Sequence, residues 1–305
     1  MRWFGWLRRK RDIDGITELD GSPAVMMGGR MRTAGVPYML PRDMEEINRL
    51  DFQHYLLRYA FRGNYAAPIG HPTSILDVGC GTGRWARELA STFPLARVTG
   101  LDVTPPHTDE AASADATLDL RPPNYVFTPG NVLEGLPFPD ASFDFTHMRL
   151  LFLAIPADRW PFVVGELVRV TRPGGWVELV EAGGERQGGP AVDALIDWGT
   201  RMCAHRGIDV TYGARLGDLL SGAGMVHVQA REVALPLGRY GGRVGTMMEA
   251  DFFTGIRGMQ GLITTLGITS ADEFARTLAQ AQADVNTPQY KCIAPFYIAY
   301  GQRAR

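Results

Sequence analysis

Between Ile75 and Gly83 the chain reads Ile-Leu-Asp-Val-Gly-Cys-Gly-Thr-Gly, which sets glycines at alternate positions behind a short apolar run and an acid, Asp77. Glycine lets the backbone turn tightly and lets a ligand lie directly against the main chain. A helix that follows such a turn presents unpaired N–H groups and a partial positive end, which suits a carboxylate or a phosphate. About twenty residues further on, Asp102 closes the run Gly100-Leu101-Asp102, where a carboxylate at a strand end can accept both hydroxyl protons of a ribose. The spacing is G-x-G-x-G, whereas dinucleotide enzymes carry G-x-G-x-x-G. Asp77 would repel a pyrophosphate and attract a sulfonium cofactor bearing an amino group. A nicotinamide dehydrogenase is disfavoured on both counts.

Those residues need a sheet to carry them. From Ser74 onward, short apolar runs alternate with amphipathic stretches. Strands are expected at Ile75–Val78, Val98–Leu101, Tyr125–Thr128, Phe143–Met148 and Trp176–Val180, with helices over Arg84–Thr92 and Arg159–Val170. This alternation predicts a parallel sheet covered on both faces. Pro173-Gly174-Gly175 reads as a turn, and Thr104 to Pro123, with four prolines, shows no crossover-helix pattern. Helices are expected again at Ala191–Ala204 and Ala214–Leu220, and last strands at Val226–Leu235 and Ile293–Tyr300. Between those strands, Pro236 to Tyr290 reads as a lid insertion with one clear helix, Ala271–Ala283. Ahead of the sheet, Asp43 is an N-cap for a helix through Tyr59, with Met44, Ile47, Leu50 and Leu57 at helical spacing. Asp12 to Met39 reads as an irregular arm. The expected architecture is a doubly wound, Rossmann-like, seven-stranded α/β fold with an N-terminal helical arm and a C-terminal lid insertion. Its parts are a flexible basic tail and arm over residues 1–37, a helical lid over 38–73, and a main domain over 74–305 with the lid insertion at 236–290.

The residues carry a family resemblance. Leu76 to Gly83 resembles motif I of the class I S-adenosylmethionine-dependent methyltransferases, and Asp102 matches their ribose-binding acid. Gly130-Asn131-Val132, ahead of Leu136-Pro137-Phe138, resembles their third motif, with Asn131 where the family usually has Asp. Ser142-Phe143-Asp144-Phe145 resembles the fourth strand, and Arg172-Pro173-Gly174-Gly175-Trp176 the approach to the fifth. The likeness spans Ser74 to Glu181. It implies S-adenosyl-L-methionine as cofactor, held by Asp77, Gly79, Cys80, Gly81, Gly83, Asp102, Asn131 and Val132, and methyl transfer as the reaction. A narrower likeness joins Tyr38-Met39-Leu40-Pro41-Arg42-Asp43, Glu45, Glu46, Arg49, Leu50-Asp51-Phe52-Gln53-His54, Pro122-Pro123-Asn124 and His147-Met148-Arg149. These are similar to the LaeA-type methyltransferases, a group associated with natural-product tailoring and secondary-metabolism regulation. The segment Asp109 to Leu120 departs from the short proline loop of that group. The implied acceptor is a small organic molecule methylated at O, N or S. A regulatory protein acting through partners, and an RNA or protein methyltransferase, are the alternatives.

In an open α/β sheet, ligands bind beyond the carboxyl ends of the strands. His147, Met148 and Arg149 end the fourth expected strand and Glu181 the fifth, so these side chains should face the transferred methyl group. Displacement at carbon depends on positioning, and a base is needed only for a protonated nucleophile. His147 and Glu181 are the candidates for that proton; bonding to backbone to orient a loop is their other available use. On the first helix, Arg49 and Gln53 are expected on the cofactor. Tyr38, His54 and Arg149 are expected on the substrate side. Met247, Met248, Phe252, Phe253 and Met259 predict a greasy pocket in the lid.

Absences narrow the chemistry. No Asn-Pro-Pro-Tyr-like tetrapeptide follows the fourth strand, no Pro-Cys pair supports attack on cytosine, and no pair of acids follows His147 as in magnesium-dependent catechol enzymes. The net charge of -2 supplies no field for a nucleic-acid backbone, so no such partner is expected. Cys80, Cys203 and Cys292 form neither a disulfide framework nor metal-ligand spacing, which fits a reducing cytoplasm and no metal. Trp3 to Leu7 is too short for a signal-peptide core, and no apolar run is long enough to span a bilayer, so no membrane partner is expected. The oligomeric state is left open, a homodimer being one form to test.

Overall fold

The computed structural model describes residues 40, 43–106, 122–184 and 186–305, together with the backbone of three short strands near the N-terminus. Tyr38 and the basic tail lie outside the described residues. The three strands, β1 (Ile16–Leu19), β2 (Ser22–Met27) and β3 (Arg30–Thr33), pair antiparallel, where composition predicts an irregular arm. The intervening dipeptides Asp20-Gly21 and Gly28-Gly29 are the signal, since both favour two-residue hairpin loops.

Helix α1 (Met44–Phe61) starts where the Asp43 carboxylate accepts the Glu46 N–H at 3.1 Å. The main fold follows as β4 (Ser74–Val78), α2 (Arg84–Thr92), β5 (Arg97–Asp102), β6 (Tyr125–Pro129), β7 (Phe143–Arg149), α3 (Trp160–Val170) and β8 (Thr171–Ala182). After it come α4 (Pro190–Ala204), α5 (Leu216–Gly222), β9 (Met225–Pro236), α6 (Gly242–Thr265), α7 (Ala271–Asp284) and β10 (Ile293–Arg303). The sheet runs β6-β5-β4-β7-β8-β10-β9. β4 to β8 are parallel, and β10 is antiparallel to both of its neighbours. The chain leaves β4 to one side through β5 and β6, then crosses back to β7 on the other. That reversal opens a crevice at the carboxyl ends of β4 and β7, the natural ligand position in such sheets.

Alternating residues of β4 divide the core. Leu76 and Val78 join the cluster built on α3 through Trp160, Val163 and Leu167. Ile75 joins Trp85, Ala86 and Leu89 of α2 on the opposite face. A third cluster unites α1, α4, α6 and α7 through Leu56, Leu57, Leu195, Trp198, Phe253 and Phe274, so the insertion between β9 and β10 packs as one body with the first helix.

Two local expectations need correction. α6 is a 24-residue helix in a stretch where only Ala271–Ala283 reads as helical. Pro173-Gly174-Gly175 does not precede the fifth strand but lies within β8 as a bulge. Phe143 pairs with Thr171 and Phe145 with Trp176, and the residues between loop out with Gly174 at φ +80°. Among the described residues no helix is long and apolar enough to cross a membrane.

Candidate active site

The glycine loop leaves β4 with the Gly79 and Cys80 N–H groups donating to the Leu101 carbonyl at 2.7 and 3.0 Å. Gly79 and Gly81 both hold left-handed backbone, at φ +70° and +53°. A Cβ at Gly79 would sit 2.6 Å from Leu151 Cδ1, whereas one at Gly81 would meet only Leu50 Cδ1 at 3.9 Å. The loop is therefore packed on one side and open on the other. Asp102, at the tip of β5, accepts the Gly81 N–H at 2.9 Å and the Thr104 N–H at 3.3 Å. These residues, with Asn131 and Val132, line a cavity of about 370 Å³. An open glycine cradle, a carboxylate on the strand tip and the buried Val132 wall fit a nucleoside with an amino-acid arm. Asn131 closes a local turn: its oxygen accepts the Leu133 N–H at 3.1 Å and its amide donates to Glu134 at 2.9 Å. Its oxygen keeps one further lone pair for a ligand. Burial, and then the Asp102 carboxylate, raise the Cys80 thiol well above its ordinary value, so it stays protonated against the loop.

Behind the loop sits a buried ionic cluster. Asp77 Oδ1 lies 2.9 Å from His147 Nδ1, and the imidazole stacks on Trp85 with ring centroids 3.8 Å apart. His147 Nε2 is buried and has no hydrogen-bond partner among the described residues. Arg149 donates to His54 Nδ1 at 3.1 Å, which assigns the His54 proton to Nε2, facing Glu88 Oε2 at 3.2 Å. Burial first, then the Arg149 charge, press the His54 pKa from 6.5 to about 4 against the pull of Glu88. His54 is therefore neutral at pH 7. His54, Asp77, His147 and Arg149 all line the cavity. Glu178, not singled out by the sequence, is buried nearby and accepts the Ala66 and Ala67 N–H groups, both at 2.7 Å.

Glu181 serves differently. It is fully buried, accepts the Leu151 N–H at 2.9 Å and the Phe152 N–H at 3.3 Å, and burial raises its pKa to about 8. Both oxygens are engaged by the loop that leaves β7, where Leu150 adopts φ +56°. Of the two uses open in the sequence, orienting a loop is the one this geometry supports for Glu181.

Arg49 and Gln53 meet a residue that sequence reasoning missed. Arg49 bonds Glu46 at 2.8 and 2.6 Å and Asp251 Oδ1 at 2.8 Å, while Gln53 donates to Asp251 Oδ2 at 2.8 Å. Glu46, Arg49 and Asp251 are buried, so the network ties α1 to α6 in the cavity wall. Buried charges persist only when paired. The available signal was Asp251 set between the apolar residues Met247, Met248, Phe252 and Phe253, with Glu249 as a second acid in the same stretch. Beyond Asp251 the cavity continues between α4 and α6 past Leu195, Ile196, Cys203, Met248, Phe252 and Met259. Of the other expected pocket residues, Phe253 is buried in the α1–α4–α6–α7 core and Met247 packs against it. Among the described residues no group of His, Cys, Asp and Glu could hold a metal ion.

Comparison with known proteins agrees with this geometry. A family described as a methyltransferase domain matches residues 75–175. The methyltransferase str2 of Strobilurus tenacellus is 31% identical over 211 residues, covering 66% of this chain and 71% of that protein. The secondary metabolism regulator laeA of Aspergillus fumigatus is 33% identical over 154 residues, which are 47% of this chain and 36% of that one. Among solved structures, a chain from the Haloferax volcanii complex of the Trm112 methyltransferase activator with a methyltransferase superposes with a TM-score of 0.50. It is 18% identical and covers 85% of this chain and 93% of that one, a likeness of fold.

Proposed function

This chain belongs to the S-adenosylmethionine-dependent methyltransferases, and from that starting point we propose that its acceptor is a small organic molecule of the natural-product kind, methylated at O, N or S. The observation that carries the reading is one continuous cavity. It runs from the glycine loop and Asp102 to an apolar chamber between α4 and α6. The laeA relative, a secondary metabolism regulator, bears instead on the regulatory alternative. S-adenosylmethionine supplies an electrophilic methyl group on a sulfonium when bound. Asp102 would take the ribose hydroxyls, the Gly79 to Thr82 backbone would follow the amino-acid arm, and Val132 would pack on the base. Gly83 does not line the cavity and turns its N–H to the Cys80 carbonyl at 2.8 Å. Asp77 sets negative charge beside the cationic end, and His147 fixes that carboxylate through Nδ1. With Nδ1 so held, Nε2 is the basic atom that His147 retains for an acceptor proton. Arg49 and Gln53 engage both oxygens of Asp251, which ties α1 to α6 in the wall of that cavity.

The test has two stages. Calorimetry should show S-adenosylhomocysteine binding with Kd on the order of micromolar and no binding of NADH. Incubation with S-adenosylmethionine and a panel of phenols, amines and thiols should then release S-adenosylhomocysteine with at least one small acceptor. NADH binding without S-adenosylhomocysteine binding would end this reading. Turnover of RNA or a protein substrate, and of no panel member, would shift it to the macromolecular alternative.

A further inference from the structure

We propose that the acceptor is a flat, uncharged aromatic ring system that slides between α4 and α6 onto bare backbone at Gly199 and Gly255; this rests on the methyltransferase reading of the same cavity. Gly199 lies in the interior of α4 and Gly255 in the interior of α6. Glycine is the weakest helix former short of proline, so each position weakens its helix and calls for a reason. Close packing is not that reason. A Cβ built at either glycine meets nothing within 4 Å, even though Gly255 is itself buried. Gly245, on the same helix as Gly255, shows the contrast: its Cβ would fall 2.1 Å from the Gly238 carbonyl oxygen, so packing alone requires that glycine. Gly199 and Gly255 open instead onto the cavity that holds the cofactor cradle. The missing side chains leave peptide planes as wall, a surface on which a ring can lie.

The rest of the chamber selects for the same chemistry. Its walls are Leu195, Ile196, Met248, Phe252, Ile256 and Met259, and methionine sulfur favours contact with aromatic rings. Cys203, one turn beyond Gly199, is buried, and that burial pushes its thiol up to about 12, so it is neutral at physiological pH. Among the residues of α4 and α6 that line the cavity, the charged side chain is Asp251, and both of its oxygens are engaged by Arg49 and Gln53. A permanently charged acceptor would lose its hydration there and gain no counter-ion.

The experiment uses the full chain saturated with S-adenosylhomocysteine and two probes, 2-naphthol and phosphoethanolamine, titrated by calorimetry. The wild type should bind 2-naphthol at least tenfold more tightly than phosphoethanolamine. Gly255→Leu and Gly199→Val should each weaken 2-naphthol at least tenfold, change S-adenosylhomocysteine affinity less than twofold, and leave Tm equal or higher. Gly255→Ala, with one added methyl group, should fall between and serves as the readout if the larger variants do not fold. Unchanged 2-naphthol affinity in these variants, no 2-naphthol binding by the wild type, or preference for phosphoethanolamine would overturn the proposal while the cofactor reading stands. Loss of S-adenosylhomocysteine binding by the wild type would overturn both.

Discussion

The Glu181 carboxyl offers a sharp separation between a base and an anchor. Burial holds its pKa at about 8, against 4.5 for an ordinary glutamate, although two N–H donors from Leu151 and Phe152 oppose the rise. Between those pH values the folded protein keeps a proton that the unfolded chain has released. Stability from this group is complete below pH 4.5 and is lost as pH rises toward 8. At about 1.4 kcal/mol per pH unit, the window has a ceiling on the order of 5 kcal/mol, and water entry into a relaxed loop will lower it. Glu181→Gln keeps a carbonyl oxygen for the Leu151 N–H and cannot ionise. Urea denaturation of both proteins from pH 5 to pH 8.5 should give similar stabilities at the acid end and a more stable variant at the alkaline end. Turnover by the variant should stay within a few-fold of wild type, because removing a general base costs about 10²- to 10⁴-fold. Parallel stability curves together with a collapse of turnover would refute the anchor and restore the base.

Asp102→Ala should weaken S-adenosylhomocysteine binding by on the order of 2 to 4 kcal/mol, since two charge-assisted ribose bonds go with the carboxylate. An unchanged Kd by calorimetry would show that the strand tip does not hold the ribose. His54 gives a pH dependence of opposite sense to Glu181. Its pKa is depressed to about 4, so the stability it contributes is complete above pH 6.5 and is lost as pH falls through the acid range. The full effect is on the order of 3 kcal/mol. Following the ring proton of His54 by NMR should show no titration between pH 8 and pH 5.5, and a midpoint near 6.5 would contradict the buried Arg149–His54–Glu88 arrangement.

The parts of the fold that were legible are those where one local pattern had one structural use. Apolar runs that end in glycine became β4 and its loop, and the Asp102 spacing survived because parallel strands repeat that spacing wherever a short helix joins them. The glycine-loop half of the cavity was readable for the same reason: Asp77, Gly79, Gly81, Asp102 and Val132 sit within contiguous stretches of sequence and line one cavity.

The half walled by α1, α4 and α6 was not, and α1 and α6 show why. Met44, Ile47, Leu50 and Leu57 announce α1 by their spacing, yet Met44 is 63% exposed and the buried positions include Glu46, Arg49 and His54. The apolar stripe found the helix and misjudged its inner face, because the partner that makes burial of Arg49 tolerable lies 202 residues away on α6. α6 itself was hidden by glycine. Gly242, Gly245, Gly255, Gly258 and Gly261 lower its intrinsic propensity, and the helix is held by tertiary packing through Phe253, Ile256 and Leu262. Residues that shape a cavity trade helix propensity for open space, and residues that pair across the fold trade apolar character for charge. Both trades erase the local signals by which elements are recognised. The cavity wall between α4 and α6 therefore reads most poorly in the sequence, and a helix-interior glycine that opens onto the cavity with nothing packed against it is the mark it leaves.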